Sequence, residues 1–269
     1  EGMGRAGVPG PGGKVLVLGR DSRSFLAVVR SLGRRGLEVH VAWHRSGSVA
    51  AASKYVAAAH ELPPPRGLAE DEPDRDDWVA ALADLHARER YELVVPTNDP
   101  AVMALFERRG ELAGIPVHVP GARAFAVAWD KLETWSVARG LGIPVPRQVH
   151  ATDRADLARV RAAFELPVVL KPRTSFAFGR KKWELAVRKA YTQAELEAGF
   201  DALIACGYVL AQDNCPGVGA GVELLCDGGE VLLAFQHERV HEPPLGGGSS
   251  YRRSMPLDGA LLDAAAALA

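Results

Sequence analysis

Short apolar runs alternate with longer amphipathic stretches along the first half of this chain. Lys14-Val15-Leu16-Val17-Leu18-Gly19 is an unbroken β-branched and leucine run, which predicts a strand buried on both faces. From about Ser22, Phe25, Leu26, Val28, Val29 and Leu32 recur at helical spacing, and Gly36 closes that helix. Leu37 to Trp43 alternates and predicts a second strand; Val56 to His60 is a short third, followed by the loop Leu62-Pro63-Pro64-Pro65-Arg66-Gly67. Asp76 to Arg90 is an amphipathic helix, and Leu93-Val94-Val95-Pro96 a fourth strand. Thr97-Asn98-Asp99 then caps a helix from Pro100 to Arg108. Val117-His118-Val119 and a helix near Ala122 to Val127 complete the unit. Strands that alternate with helices predict a parallel α/β sheet, whose ligands collect at the carboxyl ends of the strands. Gly19-Arg20-Asp21-Ser22 and Thr97-Asn98-Asp99 fall there, although turn and cap duties explain Asp21, Asn98 and Asp99 equally well. The second and third glycines of a dinucleotide fingerprint are missing after Gly19, so a nicotinamide cofactor is not indicated.

From Asp130 the pattern changes. One helix leads to Gly142, Val145 to His150 is a strand, and Thr152-Asp153 starts a helix to about Phe164. The run Leu166-Pro167-Val168-Val169-Leu170-Lys171-Pro172 is a buried strand, with Lys181 to Ala190 as its hairpin partner. Thr192 starts a helix through Glu195, Leu196 and Phe200, and Tyr208 to Gln212 is another strand. Val222 to Leu225 and Val231 to Val240 flank the hairpin turn Asp227-Gly228-Gly229. Helices mixed with antiparallel strands predict an α+β second domain.

Lys171 is the residue that asks for an explanation. An ammonium at the end of a buried strand is costly unless an anion meets it, and Pro172 ends the ladder there because it has no N–H. A strand that delivers one cation to a fixed point suits a phosphate group. Forty residues upstream lies Asp130-Lys131, followed by Gly142-Ile143-Pro144-Val145-Pro146; about forty downstream lies Tyr208-Val209-Leu210-Ala211-Gln212, then Gly217.

In this order and spacing the three units resemble the ATP-grasp superfamily. The resemblance covers roughly Lys14 to the end of the chain. It implies an α/β pre-ATP-grasp domain with a parallel sheet over 14–128, after a flexible Gly/Pro-rich lead-in over 1–13. An α+β ATP-grasp domain over 129–269 would follow, with a lid subdomain over about 145–212. It implies ATP as the cofactor, with Lys171 and Lys131 on the phosphates. Gln212, Asp213, Asn214 and Cys215 would form the adenine hinge, and Glu223 would lie near the ribose. Gln212 departs from the glutamate usual in such hinges. The stretch Arg173 to Lys182 would be the lid hairpin; it holds a single glycine and four cations, so side-chain charge would replace the backbone donors of a glycine-rich lid. Arg239, with His237 and His241 alternating on its strand, would face the acceptor and neutralise an acyl phosphate or carboxylate. Gly246 to Gly248 would bring backbone N–H groups to a substrate or serve as a linker. The reaction implied is two-step: a carboxylate takes the γ-phosphoryl group, and an amine or other nucleophile then displaces phosphate from the acyl phosphate.

No metal ligands are assigned in this chain. His237, His241 and Glu242 are not read as a metal set, because no further convergent ligand is evident. The Glu-x-Asn run that holds Mg²⁺ in the family has no counterpart, so those ligands are expected beyond residue 269 and the chain is expected to be a fragment. A non-catalytic nucleotide-binding module is the alternative, and a sugar-nucleotide-binding transferase, built on Asn98-Asp99, a further one.

Composition narrows the partners. A net charge of −1 gives no reason to expect nucleic acid or an anionic membrane surface, and no apolar run reaches the roughly 18 residues of a span. Three cysteines, at 206, 215 and 226, cannot all pair and form no C-x-x-C, which fits a reducing cytoplasm. Small-molecule carboxylate and nucleophile substrates are the expected partners, and the resemblance adds a homodimer.

Overall fold

The computed structural model describes residues 10–20, 23–43, 51–65, 77–177, 180, 184–242 and 251–269. The chain divides into two compact units, Glu1–Pro120 and Gly121–Ala269.

In the first unit β1 (Lys14–Leu18), β2 (Glu38–Ala42), β3 (Val56–His60) and β4 (Leu93–Pro96) form a sheet of order β3-β2-β1-β4, every pair parallel. Helix α1 (Arg23–Arg34) lies between β1 and β2, α2 (Asp77–Glu89) between β3 and β4, and α3 (Asp99–Glu107) follows β4. The unbroken apolar run of β1 has a direct cause. Val15 and Val17 join Phe25 and Val29 of α1 in one cluster. Leu16 and Leu18 join Trp78, Leu82 and Leu105 of α2 and α3 in another. Successive side chains point to opposite faces, so both parities must be apolar when both faces are covered. Asn98 caps α3, accepting from Ala101 N–H at 3.0 Å, which gives that residue its turn-and-cap explanation. Val117 makes an isolated parallel bridge to Val94, through Val94 N–H to Pro116 O and His118 N–H to Val94 O, both at 2.8 Å.

The second unit opens with α4 (Ala122–Trp129) and α5 (Lys131–Gly140). Gly142, at φ 74°, lets the chain reverse after α5: Gly142 and Ile143 N–H close onto Arg139 and Ala138 carbonyls at 3.1 and 3.0 Å. Trp135 Nε1 then donates to Pro146 O at 2.9 Å and fixes the proline turn. Strands β5 (Gln148–Ala151), β6 (Val168–Lys171), β7 (Arg188–Ala190) and β8 (Val209–Asp213) form an antiparallel sheet of order β5-β8-β6-β7. Its core joins Val168, Leu170, Val209 and Ala211 to Leu157 and Val160 of α6 (Leu157–Ala163) and to Leu196, Phe200 and Leu203 of α7 (Gln193–Ile204). The helix expected from Thr152 starts as a 3₁₀ turn over Arg154–Asp156, closed by a capping box between Asp153 and Asp156. A second antiparallel sheet, order β11-β10-β9, comprises β9 (Ala220–Asp227), β10 (Glu230–His241) and β11 (Tyr251–Met255), with α8 (Gly259–Leu268) after it. β11 has no alternation in its sequence, and all five of its residues are exposed. The architecture is α/β followed by α+β.

Candidate functional site

Lys171 ends β6. Val168 and Leu170 are fully buried on the core face of the strand, while Lys171 occupies the opposite parity and is half-buried. Burial pushes its amine below the ordinary lysine value, and the nearby Cys215 thiol works weakly in the other direction. Among the described residues no carboxylate pairs with it.

Lys131 reaches the same stretch of chain from α5. Asp130 caps that helix, accepting from Leu132 N–H at 2.9 Å through one oxygen and from Arg173 Nε at 2.5 Å through the other. Lys131 N–H donates to Arg173 O at 3.0 Å, and its Nζ donates to Ser175 Oγ at 2.7 Å. The start of α5 is therefore fastened to the segment that leaves Lys171, with only Pro172 between Lys171 and Arg173. Asp130 also holds the Arg173 guanidinium above its usual value, so that cation is already matched. The sequence reading missed this Asp130–Arg173 pair; an aspartate immediately before a helix signalled a cap, not a distant arginine.

The hinge residues follow on β8, which pairs antiparallel with β6 so that Val169 faces Gln212 and Val168 faces Asp213. Gln212 is buried, and its amide donates to Gln148 Oε1, while Gln148 Nε2 meets His150 Nε2 at 2.9 Å. Asp213 takes a bidentate pair from Arg147, at 2.9 and 2.8 Å, and accepts Arg147 N–H at 3.2 Å. That guanidinium holds the Asp213 carboxyl below the usual carboxylate range. Both side chains thus already have protein partners, and β8 is paired on both sides, with β5 and β6. Asn214 is half-buried and Cys215 exposed. Asp213 and Asn214 border a cavity of about 480 Å³ that Arg147, Arg161 and Phe164 also line.

A second group forms on β9 and β10. His237 is buried, and its Nδ1 lies 2.9 Å from Glu223; its Nε2 is buried without a partner among the described residues. The ring lies over Gly221, the residue opposite it in the ladder, where a Cβ would approach Cε1 to 2.7 Å. No larger residue fits there unless the ring moves. Arg239 pairs with Glu242 at 3.5 Å, and its Nε is buried without a partner among the described residues. A β-bulge between Arg239 and His241 interrupts the ladder to β11, so the simple alternation expected to put His241 on the face of His237 does not carry through. His241 is exposed. Phe178, Gly179 and Lys181–Trp183 of the expected lid, Gly246–Gly248, and Asp21 with Ser22 lie outside the described residues.

Among the described residues, the His/Cys/Asp/Glu group compact enough to hold a metal is His40, His60 and Glu89, in the first unit. None of the residues assigned above to nucleotide or acceptor belongs to it. Among the described residues of the second unit no three such side chains come that close together.

No family model matches the chain. The D-alanine–D-alanine ligase of Janthinobacterium sp. (strain Marseille) is 32% identical over 128 residues, 42% of this chain and 38% of the ligase. Among solved structures, the L-amino acid ligase of Bacillus licheniformis superposes with a TM-score of 0.63 at 16% identity, covering 96% of this chain and 59% of that one. This is an ATP-grasp fold. The carboxyaminoimidazole ribonucleotide synthase of Aspergillus clavatus, solved with ATP, has the same ATP-grasp arrangement at a TM-score of 0.65, with 19% identity over 96% of this chain and 63% of that chain. The chain spans about a fifth to two-fifths of the length of the D-alanine–D-alanine ligases it matches. Among the described residues no helix is long and apolar enough to cross a membrane.

Proposed function

We propose that this chain binds ATP and serves an ATP-dependent ligation in which a carboxylate is activated as an acyl phosphate and captured by an amine or other nucleophile. The observation that carries the reading is Lys171, a half-buried ammonium at a strand end with no carboxylate partner among the described residues. Such a group is stabilised by an anion from outside the chain. Lys131 would be a second phosphate contact. The backbone of Gln212 to Cys215 would take the base, Glu223 would lie near the ribose, and Arg239 would hold the acyl oxygen, with His237 and His241 on the acceptor side. The ligases and the ATP-bound synthase named above favour this reading over the transferase and over a module without chemistry. We also propose ATP with Mg²⁺ as the working nucleotide, a homodimer and a cytoplasmic setting.

Calorimetric titration with ATP tests the binding. Lys171→Ala should weaken ATP roughly ten- to hundred-fold, the scale of a lost charge-assisted hydrogen bond. Equal affinities in the two proteins would overturn the nucleotide reading. Ligation is tested separately, as phosphate release that requires both a carboxylate and an amine. Release that needs neither would overturn it.

A further inference from the structure

The first unit contains a buried polar group that the nucleotide reading leaves without a task. His40 lies on β2 and His60 on the adjacent β3, while Glu89 ends α2. His40 is only 4% exposed. Its Nε2 lies 2.9 Å from Glu38 Oε1. An ionised carboxylate only accepts, so Nε2 donates to Glu38, and the Nδ1 lone pair is the one a metal ion would use. That lone pair faces His60 Nε2 at 2.9 Å, Tyr91 OH at 2.9 Å and Glu89 Oε2 at 4.0 Å. Two imidazole nitrogens and a carboxylate oxygen thus converge, all within 4.8 Å of one another.

We propose that His40, His60 and Glu89 form a site for one divalent transition-metal ion of the zinc class, with Glu38 as the orienting partner of His40. Two histidines and a glutamate are a recognised zinc donor set that leaves a fourth position open. Ligand atoms about 2.0–2.1 Å from a tetrahedral ion sit about 3.3 Å from each other. The 2.9 and 4.0 Å separations from His40 Nδ1 bracket that value, and the third pair lies within 4.8 Å. A carboxylate on the far nitrogen of a ligating histidine is the usual device for fixing its tautomer and raising its basicity. Glu38 occupies that position. Lys14 Nζ, 2.7 Å from Glu89 and 3.6 Å from Glu38, supplies the positive charge without an ion and would share the carboxylates with one. The ion would tie the edge pair β2–β3 to the end of α2, a clamp separate from Lys171 in chain and in chemistry.

The test uses the full chain, stripped with chelator and titrated with ZnCl₂ by calorimetry, then with Co²⁺ by visible absorption. One ion per chain at micromolar Kd or tighter, intense d–d bands typical of tetrahedral Co²⁺, and a zinc-dependent rise in Tm are expected. His60→Gln and Glu89→Gln should each weaken zinc at least ten-fold, while His118→Gln, an exposed control, should not. Substoichiometric binding at 100-fold excess zinc, or binding indifferent to His60→Gln and Glu89→Gln, would reduce the cluster to a closed hydrogen-bond network and overturn the proposal. The wild-type titration decides stoichiometry and Tm even if a variant fails to fold.

Discussion

Two lysines sit at strand ends in this molecule, and their surroundings differ in kind. Lys14 opens β1 and has Glu89 at 2.7 Å and Glu38 at 3.6 Å; that company raises its amine above the ordinary value. Lys171 closes β6, where burial lowers its amine and among the described residues no carboxylate answers it. A charged residue beside an apolar run can therefore be a finished structural contact or an unfinished one. The partner decides which, more than the exposure. Lys14 belongs to the fold of the first unit. For Lys171 the described residues supply no such partner, and the one proposed is a phosphate.

The sharpest way to break this contrast is to exchange the consequences of removing each charge. Lys171→Ala should abolish most nucleotide affinity, by the factor given above, and leave the folded chain intact. Lys171→Met should leave Tm unchanged or raised, because it removes an uncompensated, partly desolvated charge. Lys14→Met should do the reverse: a lower Tm with ATP affinity unchanged, since Glu38 and Glu89 lose their cation beside buried His40. Calorimetry and thermal melts on the same three proteins check this. If Lys171→Met melted well below wild type with ATP affinity intact, the two lysines would be alike and the distinction would be lost.

Protonation offers a second and smaller effect of opposite sign at the two sites. The folded-state value of Lys171 is depressed, so the unfolded chain holds that proton more firmly. The destabilisation from its charge is complete below the folded value and fades as pH climbs toward the ordinary lysine range. Bound phosphate needs the ammonium, so ATP affinity should fall above the depressed value, by at most about ten-fold per pH unit for one proton. Lys171→Arg should remove that slope, because guanidinium does not titrate there. Lys14 is raised instead, so its contribution holds below the ordinary value and is lost only as pH passes through the higher folded one. Affinity and Tm recorded between pH 8 and 11 separate the two. A flat ATP affinity across that range for the wild-type chain contradicts a charged Lys171 on phosphate.

What the sequence could disclose of this follows from how local the signal is. β1 is legible because both-face burial writes itself as consecutive apolar residues; β6, buried on one face and half-buried on the other, is legible as the apolar run Val168 to Leu170, against which Lys171 stands out. β11 is not legible: Tyr251 to Met255 are all exposed, so no face selects their polarity. The partners of the site are also hidden. Asp130 and Arg173 are 43 residues apart, and Arg147 and Asp213 are 66 apart, each pair joined by sheet and helix placement rather than by spacing. His40, His60 and Glu89 carry no motif at all; parallel pairing of β2 with β3 and the path of α2 bring them together. The bulge after Arg239 is likewise a property of the ladder, not of the alternating letters on either side of it.

The finest discrimination concerns Asp130, which serves both sides of the comparison at once. One carboxylate oxygen caps α5 and the other holds Arg173, so the residue is structural, yet it positions Lys131 against the segment leaving Lys171. Asp130→Ala should cost about 1 kcal/mol of stability through the lost cap. Asp130→Asn keeps a cap acceptor and should recover most of that loss in chemical denaturation. If the aspartate also matters for nucleotide, both variants should weaken ATP about two- to five-fold, because each loosens Arg173 and with it the Lys131–Arg173 backbone contact. ATP affinity that tracks stability, lost in Asp130→Ala and regained in Asp130→Asn, would assign the residue to the helix alone. Affinity reduced equally in both would mean that the charge pair itself aligns Lys131 with Lys171.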